Sequence, residues 1–280
     1  MTTFIINSKG EKEPFSFHKV YRSAKRVGAS ADLAKEIAGE VEKEVYPGTK
    51  TREIFKKIKK LLSKKHPRAS IRFSLKEAMR KLGPTGFPFE KFIREVLLAD
   101  GSKVKINQYL RGFCPVTYEI DFLYEKEKII YIGECKYHHL AGERVDLQVT
   151  LANYARFLDI EANSYFRKLK SKGFQIKPIL VTNAKFSKEA IKYAKCKKAE
   201  LLGWRYPEKQ GLEYLIEKEK LYPITILPSL KGCLKEVFAQ KRMMLVKDLL
   251  EADLSVLSKK LNLSQKVLFP LIKEAKILLD

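Results

Sequence analysis

The segment Gly83-Pro84-Thr85-Gly86-Phe87-Pro88 forces this chain to change character partway along. Two prolines and two glycines within six residues cannot continue a helix, because proline lacks the amide donor and clashes with the preceding turn. Upstream, apolar residues recur at helical spacing around 17–27, 31–45, 51–65 and 69–82, after a short strand near Phe4–Asn7. In 51–65, Ile54, Ile58, Leu61 and Leu62 share one face. Lys56, Lys57, Lys59, Lys60, Lys64 and Lys65 fall mostly elsewhere, as an amphipathic helix requires. Downstream the pattern alternates. A helix at about 89–99 precedes strands near 103–110, 116–124 and 128–136. A helix near 144–158, the strand Lys177–Thr182, a helix at 187–197 and a short strand near 199–204 follow. Residues from about 231 to 280 carry Leu, Val and Ile at helical spacing alone. The expected class is α/β (α+β), in three zones: 1–88, 89–230 and 231–280.

Several classes are disfavoured at once. Apolar runs are short and broken by Lys or Glu, far below the ~20 residues that span a bilayer. The start, MTTFIINSKGEKEP, lacks the basic, apolar and small-residue regions of a signal peptide, so a cytoplasmic location and no membrane partner are expected. Cys114, Cys135, Cys196 and Cys233 form no CxxC pair, which argues for free thiols. The net charge is +23, and residues 1–89 hold 21 Lys/Arg against 9 Asp/Glu, an excess that attracts phosphate polyanions. A lysine-rich surface of the thermophilic kind is the other reading of that charge.

The segment Tyr131-Ile132-Gly133-Glu134-Cys135-Lys136 carries the most specific chemistry. Alternate side chains of a strand share a face, so Glu134 and Lys136 point the same way. Asp121 lies in the preceding strand, with Glu125–Lys128 as a polar turn between the two. An antiparallel pair joined in this way places Asp121 beside Glu134. Phosphodiester hydrolysis needs oxygen ligands for one or two Mg²⁺ ions and a cation near the attacking hydroxide. An ordinary exposed Glu–Lys pair is the competing explanation and is worth only ~0–1 kcal/mol. Ile129, Ile130 and Ile132 speak for a buried strand, in which an unpaired carboxylate would be costly.

The pattern Asp121…Glu134-x-Lys136 resembles the PD-(D/E)xK restriction endonuclease-like superfamily, and its flanks look like the Mrr-type branch. Glu90, opening the first helix after the break, sits where that superfamily carries an acidic residue. Gln148, in Asp146-Leu147-Gln148-Val149, matches a glutamine near the active site of Mrr-like members. Pro178–Asn183, Phe186, the helix to Lys197 and Leu202-Gly203-Trp204 extend the likeness over roughly 89–206. The resemblance implies a mixed sheet flanked by helices. It makes Asp121 and Glu134 ligands of Mg²⁺ or Mn²⁺, with the Cys135 carbonyl as a further ligand. Lys136 positions or activates water, Glu90 assists, and DNA is the substrate. His138 and His139 follow at once and rank below these residues.

Residues 1–88 resemble the ATP-cone, a small, mostly helical nucleotide-binding regulatory domain. The matching run is Lys9-Gly10, Pro14-Phe15-Ser16, Lys19-Val20, Ser23, then Val41 through Pro47-Gly48, Thr51 and Ile54. It ends with Ala69, Arg72, Phe73, Leu75, Ala78 and Leu82-Gly83-Pro84. The resemblance implies an ATP or dATP effector held by Lys9, Lys19, Thr51 and Arg72. One departure stands out: Asn7 and Ser8 occupy positions where such domains carry cations. Bland readings of the other three are a solvated Lys19, Thr51 as a helix N-cap and a surface Arg72. Residues 50–81 hold 13 Lys/Arg against Glu53 and Glu77, which suits a DNA-facing surface or a merely solvated basic face. Residues 244–279 loosely resemble a helix-hairpin-helix unit, although Leu261-Asn262-Leu263-Ser264 lacks the hairpin glycine; a packing or dimerisation bundle competes with that reading.

The combined expectation is a metal-dependent DNA endonuclease, gated by nucleotide and working as a homodimer because one site per chain must cut two strands. The alternative is a non-catalytic, nucleotide-responsive DNA-binding regulator.

Overall fold

A computed structural model describes residues 2–83, 88–99 and 101–280, so most of the 83–88 break lies outside the described residues. The chain forms two compact units. One joins Met1–Met79 with Pro223–Asp280, and the other is Arg80–Tyr222.

The first unit begins with an antiparallel hairpin of β1 (Phe4–Ile6) and β2 (Lys12–Pro14), the second strand being one the sequence pattern does not announce. Asn7 organises its turn. Its Oδ1 accepts from the Lys9 and Glu11 amides at 2.8 and 3.1 Å, and its side-chain amide donates to Glu11. Gly10 takes φ +85°, a left-handed conformation open to glycine at little cost. Next come α1 (Phe17–Arg26), α2 (Ala31–Glu44) and α3 (Thr51–Lys65). Ser16 and Ser30 cap the first two by accepting from Lys19 and Leu33 amides. Thr51 is the first helical residue of α3 rather than its cap; Lys50 stands at the cap position and makes no side-chain capping bond. The single helix expected at 69–82 is instead two, α4 (Pro67–Phe73) and α5 (Leu75–Met79). Pro67 suits a helix start, and His66 Nδ1 accepts from the Ala69 amide, so the helix opens earlier than the apolar spacing suggests. Val20, Ala24, Ile37, Val41, Ile54 and Ile58 build the core.

The second unit runs α6 (Phe89–Leu98), β3 (Lys103–Arg111), β4 (Thr117–Lys126), β5 (Ile129–Lys136), β6 (Arg144–Val145), α7 (Leu147–Glu161), α8 (Ser164–Ser171), β7 (Gln175–Thr182), β8 (Lys185–Phe186), α9 (Lys188–Lys197), β9 (Glu200–Leu202) and α10 (Leu212–Lys218). Five strands form one mixed sheet in the order β3-β4-β5-β7-β9. The first three are antiparallel neighbours; β5, β7 and β9 run parallel. Helices cover the parallel strands, which explains the near-continuous apolar runs in β5 and β7. Ile132 packs with Phe157, Ile160, Phe166 and Ile176.

The helix expected from 144 starts at Leu147. Arg144–Val145 pair with Lys185–Phe186 as a small parallel sheet, and Asp146 caps α7 by accepting from the Val149 amide at 3.1 Å. Helices α8 and α10 are further elements that their short, heavily charged sequences concealed.

In the remaining stretch, α11 (Leu234–Gln240), α12 (Leu254–Leu261) and α13 (Gln265–Leu279) alternate with 3-10 turns at Ile224–Ile226 and Val246–Leu249. These residues complete the first unit rather than standing apart. Arg68 Nε donates to the Leu278 carbonyl at 3.2 Å, and Thr225 donates to the Ala78 carbonyl at 3.0 Å. Between α12 and α13, Asn262 adopts φ +52°, so asparagine supplies the left-handed turn that a hairpin glycine would make.

Candidate active site

The antiparallel ladder between β4 and β5 runs from Lys126↔Ile129 to Phe122↔Gly133 and ends there. One residue further, the Asp121 carboxylate takes over. Its Oδ2 accepts the Cys135 amide at 2.6 Å, where a backbone acceptor would otherwise sit. The adjoining Gly133 is required sterically. A Cβ there would lie 2.2 Å from the Phe122 ring, so only glycine lets that ring lie across the strand beside Glu134.

Electrostatics show which groups converge. Burial pushes the Asp121 carboxyl up to about 6; the Cys135 amide opposes the rise, and the charges of Glu134 and Glu90 add to it. The buried Cys135 thiol is pushed well above its ordinary value by burial first, then by the same three carboxylates. Glu90, the second residue of α6, is near enough for its charge to act with that of Glu134 on Asp121 and Cys135. A divalent cation relieves repulsion of this kind, and the donor set of two strand carboxylates and a backbone carbonyl fits an oxygen-seeking ion. Among the described residues, no three His, Cys, Asp or Glu side chains are gathered closely enough to hold a metal by themselves.

One cation already stands in the cluster. Arg156, from α7, donates through Nη1 to Glu134 Oε2 at 2.6 Å, with both side chains largely buried. It also draws the Asp121 carboxyl down, against the neighbouring carboxylates. Sequence reasoning passed over Arg156. The available signal was its place two turns beyond Gln148 on the same helix, which means little until the helix start is known.

The remaining expected residues are placed as follows. Lys136 ends β5, exposed, two residues beyond Glu134. Gln148 is exposed in the first turn of α7, and no hydrogen bond among the described residues ties it to the carboxylates. His138 contributes to the frame. Its amide and carbonyl are bracketed by the buried Asn183 side chain, at 2.9 and 2.7 Å, and its Nδ1 meets Glu143 at 3.2 Å. This clamp fixes the direction in which the chain leaves β5 just after Lys136.

In the other unit, Lys9 sits in the Asn7 turn and Lys19 pairs with Glu13 at 3.7 Å. Thr51 is brought beside β1 by the Ile6↔Lys50 bridge, and the Arg72 guanidinium lies against Gly28, 3.3 Å from where a Cβ would be. Asn7, which breaks the expected cationic pattern, holds the turn together through its hydrogen bonds. On α3, Lys57 and Lys65 pair with Glu44 and Glu36 of α2, while Lys56, Lys60 and Lys64 remain exposed.

Comparison with known proteins gives concordant results. A family model described as AF1548-like, C-terminal, matches residues 222–279. An uncharacterized protein of Archaeoglobus fulgidus is 38% identical over 176 residues, spanning 63% of this chain and 93% of the relative. A crystal structure of a protein of unknown function, AF1548, is 35% identical with a TM-score of 0.54, covering 67% of this chain and 94% of that one. Nearly all of each relative is thus matched, while about a third of this chain lies outside the matches. At that identity and coverage, the chain belongs to the AF1548-like family.

Proposed function

We propose that the Arg80–Tyr222 unit is a metal-dependent endonuclease acting on DNA. The observation that carries the reading is the site itself: Asp121 accepts from the Cys135 amide at the split between β4 and β5, within reach of the charges of Glu134 and Glu90, with Lys136 next along the strand. A half-buried carboxyl pushed up by burial and by two nearby like charges is characteristic of sites that bind a cation or carry chemistry. Asp121 and Glu134, with the Cys135 carbonyl, would hold Mg²⁺ or Mn²⁺. Such an ion supplies Lewis-acid charge neutralisation and a more acidic bound water. Lys136 stands on the solvent side, where its ammonium would hold the attacking water or steady the phosphorane charge. Glu90 would orient the water from α6, and Gln148 would meet the nucleic acid from the mouth of α7.

The first unit would serve as the regulator. Lys9, Lys19, Thr51 and Arg72 are the groups we assign to an ATP or dATP effector, and the exposed lysines of α3 to the DNA backbone. Cleavage of both strands with one cluster per chain calls for a homodimer. A second reading, a DNA-binding regulator without chemistry, draws on the Arg156–Glu134 pair, which already neutralises one of the two ligand carboxylates.

The test is cleavage of supercoiled plasmid with Mg²⁺, Mn²⁺ or EDTA, each with and without ATP. Metal-dependent nicking, changed by ATP, is expected. Nicking that persists in EDTA would remove the assigned site. DNA binding with no cleavage in any metal would favour the regulator.

A further inference from the structure

We infer that Arg156 is the resident counter-ion of the carboxylate cluster, displaced when a divalent cation binds and thereby released toward the DNA phosphate. This rests on the endonuclease reading and adds to it a residue that neither the motif nor the family likeness assigns.

The geometry is direct. Arg156 reaches from the middle of α7 to Glu134 at 2.6 Å, and both side chains are about three-quarters buried, at 29% and 25% exposure. A pair so placed is not a loose surface contact. Removing one partner of a partly buried pair leaves a less well compensated charge, which a second cation relieves. Arg156 also stabilises the charged form of Asp121, so its field covers both proposed ligands. No other Lys or Arg forms an ion pair with Glu90, Asp121 or Glu134 among the described salt bridges. Arginine in this position competes with a metal ion for Glu134. The competition has a purpose if the same guanidinium also has a use afterwards. Its planar, permanently charged fork matches a phosphate as well as a carboxylate, and a phosphodiester entering the cluster presents the one new anion within reach. The pair thus couples metal binding to phosphate binding: the ion frees the arginine, and the arginine engages the substrate.

A purely structural Arg156 would behave differently when removed. Taking away a structural anchor loosens Glu134 and weakens metal binding, whereas taking away a competitor strengthens it. The experiment is titration of metal-free full-length protein with Mn²⁺, followed by electron paramagnetic resonance of the free ion, for the native chain, Arg156→Gln and Arg156→Lys. Thermal melting checks folding, and Arg156→Met, which keeps the length of the stem, replaces the glutamine variant if that one melts early. The neutral variants are expected to bind Mn²⁺ on the order of tenfold more tightly than the native chain, within the usual range of coupled sites. Arg156→Lys should stay close to native. At saturating Mn²⁺, nicking by the neutral variants should still fall, because the phosphate has lost its partner. Equal or weaker Mn²⁺ binding by the neutral variants would overturn the inference while leaving the metal site standing. Absence of Mn²⁺ binding in every variant would overturn both the inference and the endonuclease reading.

Discussion

Lys56, Lys60 and Lys64 of α3 stand in water, while Asp121 and Glu134 are half-buried on β4 and β5, with Arg156 of α7 against Glu134. The first region has many charges, which solvent screens from one another. The second has few, and they converge on Asp121: burial, then Glu134 and Glu90, push its carboxyl up, while the Cys135 amide and Arg156 draw it down. Charge density marks where a polyanion is attracted, and charge coupling in a low dielectric marks where chemistry is done. By that measure the α3 lysines would deliver DNA, and the strand cluster would cut it.

The largest effect that bears on this contrast comes from the cluster. Asp121→Asn and Lys136→Ala should each lower metal-dependent cleavage by about 10³-fold or more, with duplex binding in EDTA little changed. Filter binding beside a nicking assay separates the two. A combined Lys56→Gln, Lys60→Gln, Lys64→Gln variant should do the reverse. DNA affinity should fall roughly 10- to 100-fold at moderate salt and the log–log salt slope should drop by about 2 to 3, with folding unaffected. An unchanged salt slope would mean that these lysines form only a solvated face.

The shape of the cluster was partly readable before any coordinates. Strand alternation puts Glu134 and Lys136 on one face and the β4–β5 pairing brings Asp121 beside them, whereas Glu90 is singled out only by the restriction endonuclease-like resemblance. Arg156 was not found, because its role depends on where α7 starts and how it crosses the sheet. The start is set by Asp146, which caps α7 immediately after β6. The split of 69–82 into α4 and α5 depended likewise on His66 and Pro67, local capping chemistry that apolar periodicity does not register. The C-terminal helices joined the first unit through contacts such as Arg68 with Leu278, separated by most of the chain and invisible to any local pattern.

A smaller effect tests packing under the site against turn strain in the other unit. Gly133→Ala must push the Phe122 ring aside and should cost about 1–3 kcal/mol, seen as a lower melting temperature. Gly10→Ala, at φ +85° in open space, should cost only about 1 kcal/mol. Equal losses would mean that Phe122 has room to move.

The smallest effect is in pH. The Asp121 carboxyl titrates at about 6, above its ordinary 3.8, so its protonated form is the one that folding favours. That contribution is complete below about pH 4 and is lost as pH rises through about 6. In EDTA, the melting temperature of Asp121→Asn should therefore exceed that of the native chain above pH 6 and converge with it near pH 4. A constant difference across that window would mean that burial and the neighbouring carboxylates do not raise the Asp121 carboxyl.

The most direct measurement of the central claim is single-turnover cleavage of a labelled duplex with Mg²⁺ and protein raised to saturation. The account predicts that the triple α3 variant, once saturated, cleaves at the native rate, and that Asp121→Asn stays at least about 10³-fold slower however much protein is added. A triple variant that remains slow at saturation, or an Asp121→Asn chain that recovers the native rate, would contradict it.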